Sequence, residues 1–98
     1  MTDKQFNDAF TAAGGWFILT QYQFIANSNL AKKNLLQKLF ETGFDTDIKG
    51  TRTRLSSVLR IIREGRSREA LEKIRDSRMI NAKHPEAKAM AEKILASL

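Results

Sequence analysis

The spacing of apolar positions changes twice within the first 26 residues. Phe6, Ala9, Phe10 and Ala13 recur at intervals of three and four, which places them on one face of a helix and predicts a first element over 3–13. Thr2 stands where an N-cap belongs, Gln5 is placed to complete a capping box, and Gly14-Gly15 ends the pattern. The next stretch, WFILTQYQFIA, is apolar around nearly its whole circumference. A helix with no polar face is normally buried on every side, so 16–26 is predicted to be a second helix at the centre of the fold.

ANSN interrupts the chain, and Asn29 is placed to cap a third helix over 30–42 with Leu35, Leu36, Leu39 and Phe40 inward and Gly43 just past its end. FDTDIKGT carries no clear period. Ile48 can begin a turn of helix, but Gly50 weakens a continuous helix there, so the fourth helix is predicted to start from Thr51 or Thr53 and to run to Glu64, with Leu55, Val58, Leu59 and Ile62 on one stripe. Gly65 closes it, and Ser67 caps a short helix over 67–77 that buries Ala70, Leu71 and Ile74. Pro85, in the favoured first position, opens the last helix, which buries Ala87, Met90, Ala91, Ile94 and Leu95, with Leu98 at its end. The expectation is an all-α compact bundle of five to six short helices, the second one central, in a single domain over residues 1–98.

Composition narrows the class. A chain of 98 residues with 42% hydrophobic and 29% charged residues is globular and long enough to build one core without disulfides or metals. The absence of cysteine removes thiol catalysis and cysteine-based zinc sites, and fits a reducing compartment. MTDKQFNDAF has acids and amides where a secretory signal has a basic and then an apolar segment, and WFILTQYQFIA is about half the length of a membrane span. A cytoplasmic protein with no membrane partner is therefore expected.

The inventory for catalysis is thin. His84 is the sole histidine, and its place directly before Pro85 suits a helix-cap role. GTRTRLSS lacks the spacing and the lysine of a phosphate-binding loop, and the acids of DTDIKG begin no complete calcium loop. LLQKLFETGF followed by the arginine-rich segment invites comparison with a helix-turn-helix, but the connection is too long and Gly50 falls where a recognition helix should begin. No enzyme activity, cofactor or metal is expected.

Charge gives the one directional signal. Residues 1–50 carry five lysines against five acids, whereas residues 51–98 carry eight arginines and four lysines against six acids, so the net charge of +6 belongs entirely to the second half. All eight arginines fall within 50–78, where Lys73 is the one lysine. The planar guanidinium fork matches carboxylates and phosphates, so the cluster points to an anionic partner. Nucleic acid held mainly by phosphate contacts is the leading expectation, through Thr51, Arg52, Thr53, Arg54, Arg60, Arg63, Arg66 and Arg68. Two other arrangements compete with it: an internal lattice in which Glu64, Glu69, Glu72 and Asp76 neutralise the arginines, and a merely solvated face. The alternative of a different class is a protein-interaction module, an accessory factor or inhibitor, that meets an anionic protein or pairs as a homodimer through Trp16, Phe17, Tyr22 and Phe24.

Overall fold

Thr2 starts the first helix as its side chain predicts. In the computed structural model, which describes Met1–Leu98, the Gln5 N–H donates to Thr2 Oγ1 at 3.1 Å and the Thr2 N–H donates to Gln5 Oε1 at 2.9 Å. This reciprocal pair satisfies two amide donors at the start of α1 (Asp3–Ala13), which buries Phe6, Ala9, Phe10 and Ala13. Gly14, at φ +84°, turns the chain directly into α2 (Gly15–Ala26).

α2 is not enclosed all round. Phe17, Ile18, Leu19, Tyr22 and Ile25 are buried, whereas Gln23, Phe24 and Ala26 face solvent. α3 (Lys32–Phe40) starts later than expected: no side chain caps it, Asn29 plays no such part, and Leu30 stays outside and exposed. Leu35, Leu36 and Leu39 go inward, and Phe40 is only half-buried.

The largest departure from the sequence expectation is α4 (Ile48–Arg63), which starts before Gly50 instead of after it. Asp47 is the N-cap, accepting from the Lys49 N–H at 2.9 Å. Glycine inside a helix costs about 1 kcal/mol relative to alanine, and its neighbour explains its presence. A Cβ at position 50 would lie 2.9 Å from Asp45 Oδ1, so the missing side chain gives the Asp45 carboxylate room to lie against the helix. The buried face comprises Thr51, Leu55, Val58 and Ile61, with Leu59 and Ile62 only half-buried, so α4 is rolled toward Ile61 relative to the predicted stripe. Its C-terminus is a Schellman motif. Gly65, at φ +71°, donates to the Ile62 carbonyl and Arg66 donates to the Ile61 carbonyl, each at 3.0 Å.

α5 (Ser67–Arg75) buries Ala70, Leu71 and Ile74, and Ser67 is its first residue, not its cap. α6 (Arg78–Lys83) lies where the sequence offers no apolar period. Ser77 caps it through a 3.2 Å bond from the Ile80 N–H, and the Asn81 side-chain amide donates to the carbonyls of Ser77 (2.7 Å) and Arg75 (3.0 Å), tying α6 to the end of α5. α7 (Ala87–Ala96) begins after Pro85 and Glu86, not at Pro85, and buries Ala87, Ala91, Ile94 and Leu95, leaving Met90 half-buried and Leu98 exposed.

The chain is thus all-helical, with seven helices and no strand. The most extensive packing is of α1 on α4 and of α5 on α7, and α2 touches all four of these helices while α3 covers a further side of α4. Twenty-two buried apolar residues form one contiguous cluster, and Thr51 is the sole buried polar residue. No helix is long and apolar enough to cross a membrane.

Candidate nucleic-acid interface

The eight arginines divide by partner. Arg54 projects from α4 toward α1 and the segment before α4: its Nε donates to both Asp45 oxygens at 3.1 Å, and its Nη1 donates to the Ala13 carbonyl at 2.6 Å. The Arg54 guanidinium lies over the Phe17 ring, 5.7 Å from its centroid. Asp45 also accepts from Thr51 Oγ1 at 3.0 Å, so Thr51, Arg54 and Asp45 form one network that closes the C-terminal end of α1 onto α4.

Arg66 performs the corresponding task at the other end. It donates to Asp3 at 2.8 Å, to the Thr2 carbonyl at 3.2 Å and to both oxygens of Glu69, and its guanidinium covers the Phe6 ring at 4.4 Å. The hydrogen bonds that Arg66 donates to Glu69, with Asp3 beside it, push the Arg66 pKa up, so this group stays charged at every accessible pH. Arg75 pairs with its neighbour Asp76 at 2.9 Å, which raises the arginine and lowers the carboxyl. Glu64 is taken by the N-terminal ammonium of Met1 at 3.4 Å.

The remaining five arginines, Arg52, Arg60, Arg63, Arg68 and Arg78, form no ion pair within 4.0 Å. Of the four acids expected to build an internal lattice, only Glu69 and Asp76 hold arginines, and Arg54 is held by Asp45 instead. Three of the unpaired ones share the outer side of α4, where Lys49, Arg52, Ser56, Arg60 and Arg63 follow one another at intervals of three and four. At 1.5 Å per residue the row from Arg52 to Arg63 extends about 16 Å along the helix axis. Lys32 reaches the same row from α3 by donating to Ser56 Oγ at 3.1 Å. A groove of about 320 Å³ beside it is walled by Lys32, Lys33, Leu36 and Arg52. On the α1 side Arg60 borders a hollow of about 340 Å³ that also contains Asp8, whose carboxylate is held by Lys4 at 3.0 Å.

Of the residues expected to meet nucleic acid, Arg52, Arg60 and Arg63 come together on this face. Thr53 is exposed on the same helix with its hydroxyl donating to the Lys49 carbonyl at 3.2 Å, and Arg68 is exposed in the first turn of α5. Thr51, Arg54 and Arg66 do not belong to it. Thr51 is fully buried, and the two arginines are committed to carboxylates and carbonyls of the protein itself.

The expected aromatic interface is not one surface. Phe17 is 1% and Tyr22 7% exposed, so both are core residues, while Phe24 is exposed alone on the outer side of α2. Trp16 is half-buried and stacks on His84, with ring centroids 3.6 Å apart and planes 3° from parallel. That stack carries no local signature, because 68 residues separate the two rings and α6, which brings them together, has no apolar period. His84 does not cap the last helix, whose N-cap is Glu86; it stands instead at the C-terminal end of α6, its backbone N–H donating to the Ile80 carbonyl. Compared with protein-family models, curated proteins and solved structures, the chain matches none.

Proposed function

We propose that this protein is a non-enzymatic nucleic-acid-binding module that holds the phosphate backbone along the outer face of α4. Arg52, Arg60 and Arg63 are the principal contacts, Lys49, Lys32 and Lys33 flank them, and Thr53 and Arg68 lie at the margins. The observation that carries this reading is the row of α4 cations with no carboxylate in ion-pair range, on a helix whose other arginine is paired with Asp45. Guanidinium groups held on a rigid helix, with side-chain hydroxyls between them, suit phosphate oxygens.

Lack of exposed aromatics on this face favours a duplex. Single-strand binders stack bases on aromatic platforms, and the one well-exposed aromatic side chain, Phe24, lies on α2. Backbone contacts alone predict weak sequence preference and strong salt dependence. Neutralising about four phosphates gives a slope of about −3.6 in log K against log salt.

Fluorescence anisotropy of labelled duplex and single strands between about 50 and 200 mM salt tests this directly. Binding with that slope, tighter for duplex, is the expected result. No binding to either strand form at about 50 mM salt would overturn the proposal and leave an anionic protein as the partner for the same face.

A further inference from the structure

The largest cavity lies away from the α4 row. It opens between the α1–α2 turn and α6, has a volume of about 350 Å³, and falls at the lower end of the range for small-ligand sites, about 300–1,000 Å³. Its apolar wall is made by Trp16, Phe17, Phe44 and Ile80, and its rim by Lys83, His84 and Arg54. No acid lines it.

Close backbone approach builds this cleft. A Cβ on Gly15 would lie 2.3 Å from Ile80 Cδ1 and one on Gly14 2.7 Å from Arg54 Nη1, so both glycines let α6 and Arg54 draw in against the turn. The T-shaped contact of Phe17 with Phe44, centroids 5.2 Å apart, and the Trp16–His84 stack fix the ring orientations of the wall. Met79, 83% exposed at the mouth, adds apolar surface that no other part of the chain covers. The polar rim is unsymmetrical in charge. Arg54 is already matched by Asp45, but its Nη2 makes no hydrogen bond to the protein, and Lys83 has no carboxylate partner. The rim therefore offers one uncompensated positive charge together with spare N–H donors, above a flat apolar wall.

We propose that this cleft binds a small apolar monocarboxylate, an aromatic or compact aliphatic acid, with its hydrocarbon part against Trp16, Phe44 and Ile80 and its carboxylate at Lys83 and the free N–H groups of Arg54. This site does not rest on the nucleic-acid reading. Arg54 projects from α4 about 160° away from Arg52, so the two surfaces are separate.

Trp16 is the sole tryptophan and reports on its own site. Titration with 4-phenylbutyrate is expected to change its emission saturably with a Kd of about 1 mM or tighter, and the uncharged 4-phenylbutanamide is expected to bind about fivefold more weakly. Lys83→Gln removes that preference, and Met79→Glu weakens the acid while leaving the amide within about twofold. Both positions are exposed, so the melting temperature of each variant stays at the wild-type value. The proposal is overturned by the absence of saturable change up to about 10 mM acid, by equal affinity for acid and amide, or by a preference that survives Lys83→Gln.

Discussion

Arg52 and Arg54 stand two residues apart on α4 and have opposite fates. Arg54 turns inward to Asp45, the Ala13 carbonyl and the Phe17 ring, whereas Arg52 turns out beside Lys32 and Lys33 and meets no acid. The 200° step between them on the helix puts them on different faces. Side-chain type does not tell structural arginines from available ones; what distinguishes them is which face of α4 they occupy and whether another element delivers a carboxylate to that face. Arg66 follows Arg54, since α1 brings Asp3 to it, and Arg60 and Arg63 follow Arg52.

Breaking the inner group should affect stability alone. Asp45→Ala removes the partner of Arg54 and leaves the buried Thr51 hydroxyl without its acceptor, which should destabilise the fold by about 3 kcal/mol and lower Tm by more than about 10 °C. Thermal unfolding followed by far-ultraviolet circular dichroism reads this. Duplex affinity of the folded fraction should stay unchanged.

The reverse result is expected from the outer group. Replacing Arg52, Arg60 and Arg63 together by glutamine should weaken duplex binding at least about tenfold at low salt and flatten the salt slope by about three. Stability should shift by less than about 0.5 kcal/mol, because none of the three has an ion-pair partner to lose.

Arg66→Gln tests the inner group at the other end of α1. Its acidic partners, Asp3 and Glu69, are well exposed, so the variant should lower Tm by less than Asp45→Ala does and leave nucleic-acid binding unchanged. The smallest effect belongs to Asp76. The hydrogen bond from Arg75 holds its carboxyl below the ordinary carboxylate range, so the stabilisation is present above the unfolded value, near pH 4, and is lost as pH falls through the folded value. Asp76→Asn should leave Tm at pH 7 almost unchanged and remove a small part of its fall in acid, as read by melts between about pH 2 and 5.

The legible parts of the fold were those with local causes. The Thr2–Gln5 capping box, the buried face of α1 and the Gly65 terminus of α4 follow from residues within one or two helical turns of each other. The start of α4 did not, because the benefit of Gly50 comes from Asp45 lying against it, a contact that opposes helix propensity and carries no periodic signal. α6 escaped for a related reason: it buries no residue completely and is fixed by Ser77 and Asn81, polar residues that also suit a loop. For the site, the arginine cluster was visible as composition, but its division into inner and outer groups required the carboxylates of Asp3 and Asp45, contributed by segments up to 63 residues away in the chain. The aromatic run 16–26 is one feature in the sequence, although it holds core residues, a half-buried ring stacked on His84 and one exposed ring.

In the proposed function the outer row of α4, and not the arginine content as a whole, carries the binding. Side-by-side salt titrations of duplex affinity for the wild type, the Arg52/Arg60/Arg63 glutamine variant and Arg54→Gln test it most directly. The predicted result is a slope of about −3.6 retained in folded Arg54→Gln and nearly abolished in the triple variant. Equal slopes in the two variants, or loss of the slope in Arg54→Gln alone, would contradict it.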